Sequence, residues 1–327
     1  MNADLSPWQQ RAWDQAMDAL KAGRLPHALL IAGPAGLGKR ALARRLAQRL
    51  MCANPRANAA CGSCRNCTLN AAGTHPELLQ ETLEVNEKTG VLRKEILIAQ
   101  IRRLSENLHL MPQIAAGHVA LIDPADAMNR SAFNALLKTL EEPPPARHLI
   151  LVADRPQRLP ATIRSRCQWL QIDLPPPAEA LAALIAAGHD EALAAEALAA
   201  AQGNPGLAQS YLQQDGLGLR RAVAEDLAAL ARRRQTTIDV ALAWNEDRPA
   251  QRLRFAGELV RDHLAHRASG AGEDLLGQAG CDTGRDVAAL AAWFDASVRT
   301  GIQLDGPLQT QYQIAELLRD WQRLNTQ

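Results

Sequence analysis

The chain carries a glycine-rich run that ends in two cations, Gly33-Pro-Ala-Gly36-Leu-Gly38-Lys39-Arg40. Glycines at 33, 36 and 38 let a backbone turn tightly enough to aim its N–H groups at phosphate oxygens, and Lys39 adds a mobile positive charge. That is the chemistry of a nucleotide cradle. The pattern G-x-x-x-x-G-K-[ST] fails at its last letter. Residue 40 is arginine, where a hydroxyl ordinarily ligates the Mg²⁺ that bridges the β- and γ-phosphates. A guanidinium cannot coordinate a cation. The loop is therefore built to hold phosphates yet lacks a part that hydrolysis needs. The bland reading is a glycine turn between a strand and a helix.

A second constellation is cysteine-based. Cys52 is followed by Cys61-Gly-Ser-Cys64-Arg-Asn-Cys67, two overlapping C-x-x-C turns that bring three thiolates round one point, with Cys52 available as the fourth. Four thiolates at about 2.3 Å satisfy tetrahedral Zn²⁺ with no open position, which describes a structural site. The competing readings are an Fe–S cluster, although nothing nearby suggests electron transfer, and disulfides, which a reducing cytosol disfavours. Cys167 and Cys281 stand apart as core or surface thiols. A third feature is Asp123, at the end of the apolar run HVALID, where P-loop enzymes hold their metal. An acid to polarise water is expected next, and the residue is Pro124.

These groups need elements to position them. Ala28 to Ala32 reads as a buried strand before the glycine loop, and Leu42, Leu46 and Leu50 place Ala41 to Leu50 on a helix after it. Arg40, Arg44, Arg45 and Arg49 on that helix read as a solvated face. Upstream, Ser6 as N-cap, Pro7 at the first helical position and Gly23 as the stop frame a helix whose apolar face is Trp13, Met17 and Leu20. Downstream, a strand is expected near Leu78 to Thr82, and an amphipathic helix carries Ile98, Ile101, Leu104 and Leu108. His118 to Asp123 is a second strand. Ser131 is expected to cap a helix that Pro143 to Pro145 stop. His148 to Ala153 and Gln168 to Ile172 complete the strands, flanking Ala161 to Cys167, in which Arg164 and Arg166 surround Ser165. Strands alternating with helices predict a parallel α/β sheet covered on both faces.

Beyond the stiff Asp173-Leu-Pro-Pro-Pro177, the periodicity predicts one helical stretch from Ala178 to Ala201, broken by Gln202 to Gly206 before another helix. From Ser210 onward the chain reads as helical, most clearly over Leu217 to Ala231 and Leu308 to Leu324, with a loop over Gly270 to Gly284. A chain of 327 residues accommodates two or three domains, and 36 basic against 35 acidic side chains leave a net charge of +1. Bulk polyanion binding is thereby disfavoured as the main activity. With no 18-residue apolar run and no charged-then-apolar leader, a soluble cytoplasmic chain is expected.

The glycine loop, the four-cysteine insert, HVALIDPADAMNRSAFNALLKTLEEPP and ATIRSRC together resemble the clamp-loader AAA+ proteins over roughly residues 7 to 210. The resemblance implies an AAA+ P-loop domain with a parallel sheet and zinc insert (1–174), a small helical lid (175–208) and an all-helical C-terminal collar (209–327). It implies Gly33, Gly36, Gly38, Lys39 and Asp123 as the phosphate and metal positions, with nucleotide binding left open, and structural Zn²⁺ on Cys52, Cys61, Cys64 and Cys67. Motor subunits of the family need a hydroxyl after the P-loop lysine, an acid after the strand-end Asp and an arginine in the lid. Here the residues are Arg40, Pro124 and an arginine-free GNPGLAQ, and Ala153-Asp154 departs from the small hydroxyl or amide of the sensor position. Retained is Arg166, which the resemblance makes an arginine finger for ATP on a neighbouring subunit. The alternative is that Arg166 merely pairs with a local carboxylate. The implied role is a stator, itself neither hydrolysing ATP nor polymerising DNA, in a hetero-pentamer with gamma/tau and delta subunits that loads the sliding clamp onto primed DNA. A motor subunit that tolerates Arg40 and a zinc module for nucleic acid are the rival readings.

Overall fold

In the computed structural model, residues 5–270, 272–281, 286–303 and 310–325 are described. They form two compact units, one ending at Gln209 and the other beginning at Ser210.

The first unit opens with α1 (Pro7–Lys21), where the Ser6 N–H donates to Gln9 Oε1 at 2.9 Å. Next come β1 (Ala28–Ala32), α2 (Lys39–Met51), α3 (Arg65–Ala72) and β2 (Leu78–Glu81). After α4 (Ile98–His109) and β3 (His118–Ile122) the chain forms α5 (Arg130–Glu141) and β4 (Arg147–Ala153). The short α6 (Ala161–Arg164) leads into β5 (Gln168–Gln171). The five strands are all parallel in the order β2-β3-β4-β1-β5. Alternation along β1 explains the layers, because successive side chains leave opposite faces of a strand. Leu29 and Ile31 pack with Trp13, Met17, Leu42 and Leu46 of α1 and α2. Ala28 and Leu30 face the other way, into Leu104, Leu108, Leu136 and Leu140 of α4 and α5. A sheet covered on both faces can be largely apolar, and β1, β3 and every residue of β4 except the half-buried His148 are buried accordingly.

Several details differ from the sequence-based expectation. The cap of α5 is Asn129, not Ser131: its side chain accepts from the Ala132 N–H at 2.9 Å, so the helix begins at Arg130. The stretch Ala178 to Ala201 is two helices, α7 (Pro177–Ala186) and α8 (Glu191–Ala200). Gly188 at φ +93° turns the chain between them, and Asp190 caps the second by accepting from the Ala192 and Leu193 N–H groups. The arginines of α2 are not uniformly solvated. Arg45 lies over the Trp13 ring, 5.2 Å from its centroid, and Arg49 donates to the Ala57 carbonyl. The division between units falls inside α9 (Pro205–Gln213).

The second unit contains α10 (Gly216–Ala231), α11 (Thr237–Glu246), α12 (Pro249–Ser269), α13 (Leu275–Gln278), α14 (Val287–Gln303) and α15 (Thr310–Leu324). Its core centres on Phe255, Trp244, Trp293 and Trp321. The expected loop over Gly270 to Gly284 contains α13, and its residues 271 and 282–284 lie outside the described residues, as does the expected start of the last helix at Leu308. No described helix is long and apolar enough to cross a membrane.

One buried acid in this unit yields a pH prediction. Burial pushes the Glu258 carboxyl up to about 7, against the opposing pull of Arg254, Arg261 and Arg220, with Asp262 adding to the rise. The folded state keeps a proton that the unfolded chain releases near 4.5, so this stabilising contribution is full below 4.5 and is lost as pH rises to about 7. A shift of that size corresponds to roughly 3 kcal/mol. Glu258→Gln is expected to flatten the pH dependence of the urea unfolding midpoint between those two values.

Candidate functional site

The glycine loop joins β1 to α2. Gly33 sits at φ +150°, and a Cβ there would meet the Ile172 carbonyl oxygen at 2.0 Å. Gly38 adopts φ +76° at the cap of α2. The loop is held from both sides. From α1, Trp8 Nε1 donates to the Leu37 carbonyl at 3.2 Å and Gln9 Nε2 to the Gly38 carbonyl at 2.9 Å. From the start of α9, Asn204 Nδ2 donates to the Ala35 carbonyl at 2.8 Å. Gly206 lies so close that a Cβ on it would fall 1.9 Å from the Gly36 oxygen. The arginine-free GNPGLAQ segment is thus packed directly on the P-loop. A cavity of about 300 Å³ remains beside it, lined in part by Trp8, Leu37, Leu184 and Pro205.

Lys39 is not a mobile cation. It is 3% exposed, and its Nζ donates at 2.6 Å both to the Pro34 carbonyl and to the Asp154 carboxylate. Asp154 is itself oriented by Asp126, whose buried carboxylate accepts the Asp154 N–H at 3.2 Å. Asp123 is paired too, at 2.8 Å from Arg40 Nε. Burial raises the Asp123 carboxyl and the Arg40 contact opposes that rise. The lysine that would meet phosphate and the acid that would meet metal are therefore each neutralised within the chain. A phosphate would have to displace a carboxylate from Lys39, and a cation would have to displace a guanidinium from Asp123. Asp154→Asn, which keeps the shape and removes the competing charge, is expected to tighten ATP binding about tenfold, the equivalent of 1.4 kcal/mol, as read by calorimetry.

Arg166 lies just past α6. Its Nη1 donates to the Thr162 carbonyl at 2.9 Å, and its Nη2 lies 2.6 Å from Glu141 Oε1. The local carboxylate partner weighed from sequence is present, at the last residue of α5. Both side chains remain open to solvent, 36% for Arg166 and 49% for Glu141. Neighbouring Arg164 differs, with its Nε buried.

The four cysteines converge. Their sulfurs all lie within 4.8 Å of one another. Tetrahedral thiolate ligation at 2.3 Å demands sulfur–sulfur edges of about 3.8 Å. Cys52 and Cys64 are 4.0 Å apart, and Cys61 and Cys67 are 3.9 Å apart. The Cys61 N–H points at Cys52 Sγ at 3.2 Å and the Cys64 N–H at Cys61 Sγ at 3.3 Å, donors that favour thiolate. Hydrogen bonding from the backbone of Ser63 and Cys64 brings the Cys61 thiol down to about 6, whereas burial pushes Cys67 up to about 12, a cost that a bound cation offsets. These donors fit a tetrahedral metal ion such as zinc. Cys52 caps α2, Cys64 caps α3, and Asn66 Nδ2 donates to the Met51 carbonyl at 2.7 Å, so the cluster pins two helices. Cys167 and Cys281 are buried and lie outside this cluster.

The sequence marks Gly33, Gly36, Gly38, Lys39, Arg40, Asp123 and Asp154, but not that Lys39 pairs with Asp154 and Arg40 with Asp123. Gln9, Asn204 and Gly206 were missed as clamps on the loop. The one available signal was the Gly-Asn-Pro-Gly run at 203–206, in which a capping amide and a small residue sit where a lid meets a loop.

A parallel five-stranded sheet with a P-loop at the end of β1 and a strand-end acid on β3 defines a P-loop α/β domain. A profile of the family described as DNA polymerase III, delta subunit, matches residues 8–176. The chain is 41% identical to DNA polymerase III subunit delta-prime of Pseudomonas aeruginosa over 247 residues, 74% of this chain and 72% of that one. It is 33% identical to the Escherichia coli K12 protein of the same name over 261 residues, covering 79% and 75% of the two chains. Against DNA polymerase III subunit tau/gamma of Haemophilus influenzae the identity is 37% over 150 residues, 46% of this chain and 20% of the relative. The chain belongs to the DNA polymerase III delta-prime family.

Proposed function

We propose that this protein is the stator of a bacterial clamp loader, a cytoplasmic subunit that helps place the sliding clamp on primed DNA without itself hydrolysing ATP. The observation that carries this reading is the self-neutralised P-loop, Lys39 on Asp154 and Arg40 on Asp123, in the same domain as Arg166, whose guanidinium is paired with Glu141 yet still 36% exposed. A site whose own charges are satisfied gains little from binding Mg-nucleotide. An exposed arginine in the same domain serves a phosphate supplied from outside, as a finger acting in trans on ATP held by a neighbouring gamma/tau subunit. Likeness along most of the delta-prime relatives, against one fifth of the tau/gamma relative, favours the stator over the motor.

In this reading the chain joins gamma/tau and delta subunits in a hetero-pentamer. Residues 1–174 are the AAA+ domain, 175–208 the lid clasped on the loop, and 209–327 the collar that binds neighbours. The cysteine cluster holds structural zinc. The test is ATP hydrolysis by the purified chain, alone and then mixed with partner ATPase subunits, clamp and primed DNA. The chain alone is expected to be inert, and its addition is expected to raise turnover in the mixture. Mg²⁺-dependent hydrolysis by the isolated chain would sink the reading in favour of a motor. Steeply salt-dependent DNA binding by the chain alone would favour a zinc-containing nucleic-acid module.

A further inference from the structure

We propose that Glu141 is a positioning residue for Arg166, holding the guanidinium in a fixed orientation before a phosphate reaches it. This rests on the reading of Arg166 as a finger in trans. Glu141 is the last residue of α5, and the following Pro143 to Pro145 keep that helix from continuing. Its position is set at the other end too, by the Asn129 cap. Glu141 Oε1 takes Nη2 at 2.6 Å, and the Thr162 carbonyl of α6 accepts from Nη1 at 2.9 Å. Two elements thus grip both terminal nitrogens of one planar group.

An arginine has five N–H donors in a rigid fork. These two contacts engage one hydrogen on each terminal nitrogen and leave the rest of the fork for an incoming ligand. A free arginine carries considerable rotamer entropy, and a fork already fixed loses less of it when a phosphate arrives. The grip is also weak enough to be shared. A half-exposed ion pair is weak, so a single carboxylate orients the arginine without withholding it from a phosphate of higher charge. Lys39 with Asp154 is a contrasting case: there the cation is 3% exposed and closed in.

The test uses the complete complex with partner ATPase subunits, clamp and primed DNA, comparing wild type, Glu141→Ala, Glu141→Gln, Arg166→Ala and the double alanine variant. Glu141→Ala is expected to lower kcat for ATP about tenfold, on the scale of the lost rotamer restriction, with KM unchanged. Glu141→Gln keeps an oxygen acceptor and is expected to restore most of that loss. In the Arg166→Ala background, Glu141→Ala is expected to add nothing. A wild-type or raised kcat in Glu141→Ala, with Arg166→Ala impaired, overturns this proposal and leaves the finger standing. A loss that persists in the Arg166→Ala background overturns it as well, since it would mark a structural role. An Arg166→Ala complex with wild-type turnover overturns the finger and this proposal together.

Discussion

Arg166→Ala is expected to cut the clamp- and DNA-stimulated ATP turnover of the assembled complex by about 10³-fold, the lower end of what arginine fingers supply elsewhere. The chain's fold and its assembly with partners are expected to stay as they are. Stability is spared because the substitution removes only a half-exposed ion pair with Glu141 and a hydrogen bond to the Thr162 carbonyl. Catalysis by the neighbouring subunit is not spared if Arg166 is its finger, because the charge spread over the equatorial oxygens of a loose phosphoryl-transfer transition state then loses the guanidinium that offsets it. Arg166→Lys is expected to recover little of the loss: an ammonium is a point charge without the planar fork that lets Glu141 and the Thr162 carbonyl hold two separate nitrogens in one fixed orientation. Gel filtration of the complex, thermal unfolding of the chain and steady-state hydrolysis separate these effects. An unchanged turnover would reduce Arg166 to the local ion pair that is visible in the structure.

Much of the sheet was legible because its central strands are runs of apolar residues, and burial on both faces leaves no polar alternation to confuse them. The two missing catalytic parts were legible as single letters, Arg40 in the P-loop and Pro124 after the strand-end Asp123. What replaces the missing chemistry was not, because ion pairs join residues far apart in sequence: Lys39 reaches Asp154, and Arg40 reaches Asp123. Asp154 read as a departure at a sensor position, and only the fold turns it into the counter-ion of the P-loop lysine. Local errors have local causes. Ser131 and Asn129 are both good caps, and geometry chose the residue whose oxygen reaches the Ala132 N–H. Alanine-rich periodicity from 178 to 201 masks a break, since the apolar pattern persists through it and only Gly188 and Asp190 mark the turn. The four-cysteine cluster was the most legible feature of all, because tetrahedral thiolate ligation constrains spacing tightly.

That cluster carries the other large expectation. Cys64→Ser, or prolonged treatment of the chain with a strong chelator, is expected to release one equivalent of zinc and to unfold the segment from Cys52 to Gly73, while the sheet stays folded. The segment has little else to hold it. Its one helix, α3, spans eight residues, below the length at which an isolated helix is stable in water, and buries only Asn66 and Cys67. Binding of structural zinc by small modules releases about 10–16 kcal/mol, far more than the hydrogen bonds from Asn66 to Met51 and from Arg49 to Ala57 return. The sheet is insulated, because the core beneath α2 is made by Leu42, Leu46 and Met51 against β1 and its neighbours and does not pass through the cysteines. Metal content by mass spectrometry, far-ultraviolet circular dichroism and limited proteolysis read the three parts of this claim. Metal-free chain that resists cleavage between Cys52 and Cys67 as well as the loaded form would mean that the segment folds on its own contacts. New cleavage confined to that span, with the dichroism nearly unchanged, would make the metal the fold of this insert and of little else. An insert held in that way can stand at the end of the P-loop helix without burdening the core that positions Lys39 and Arg40.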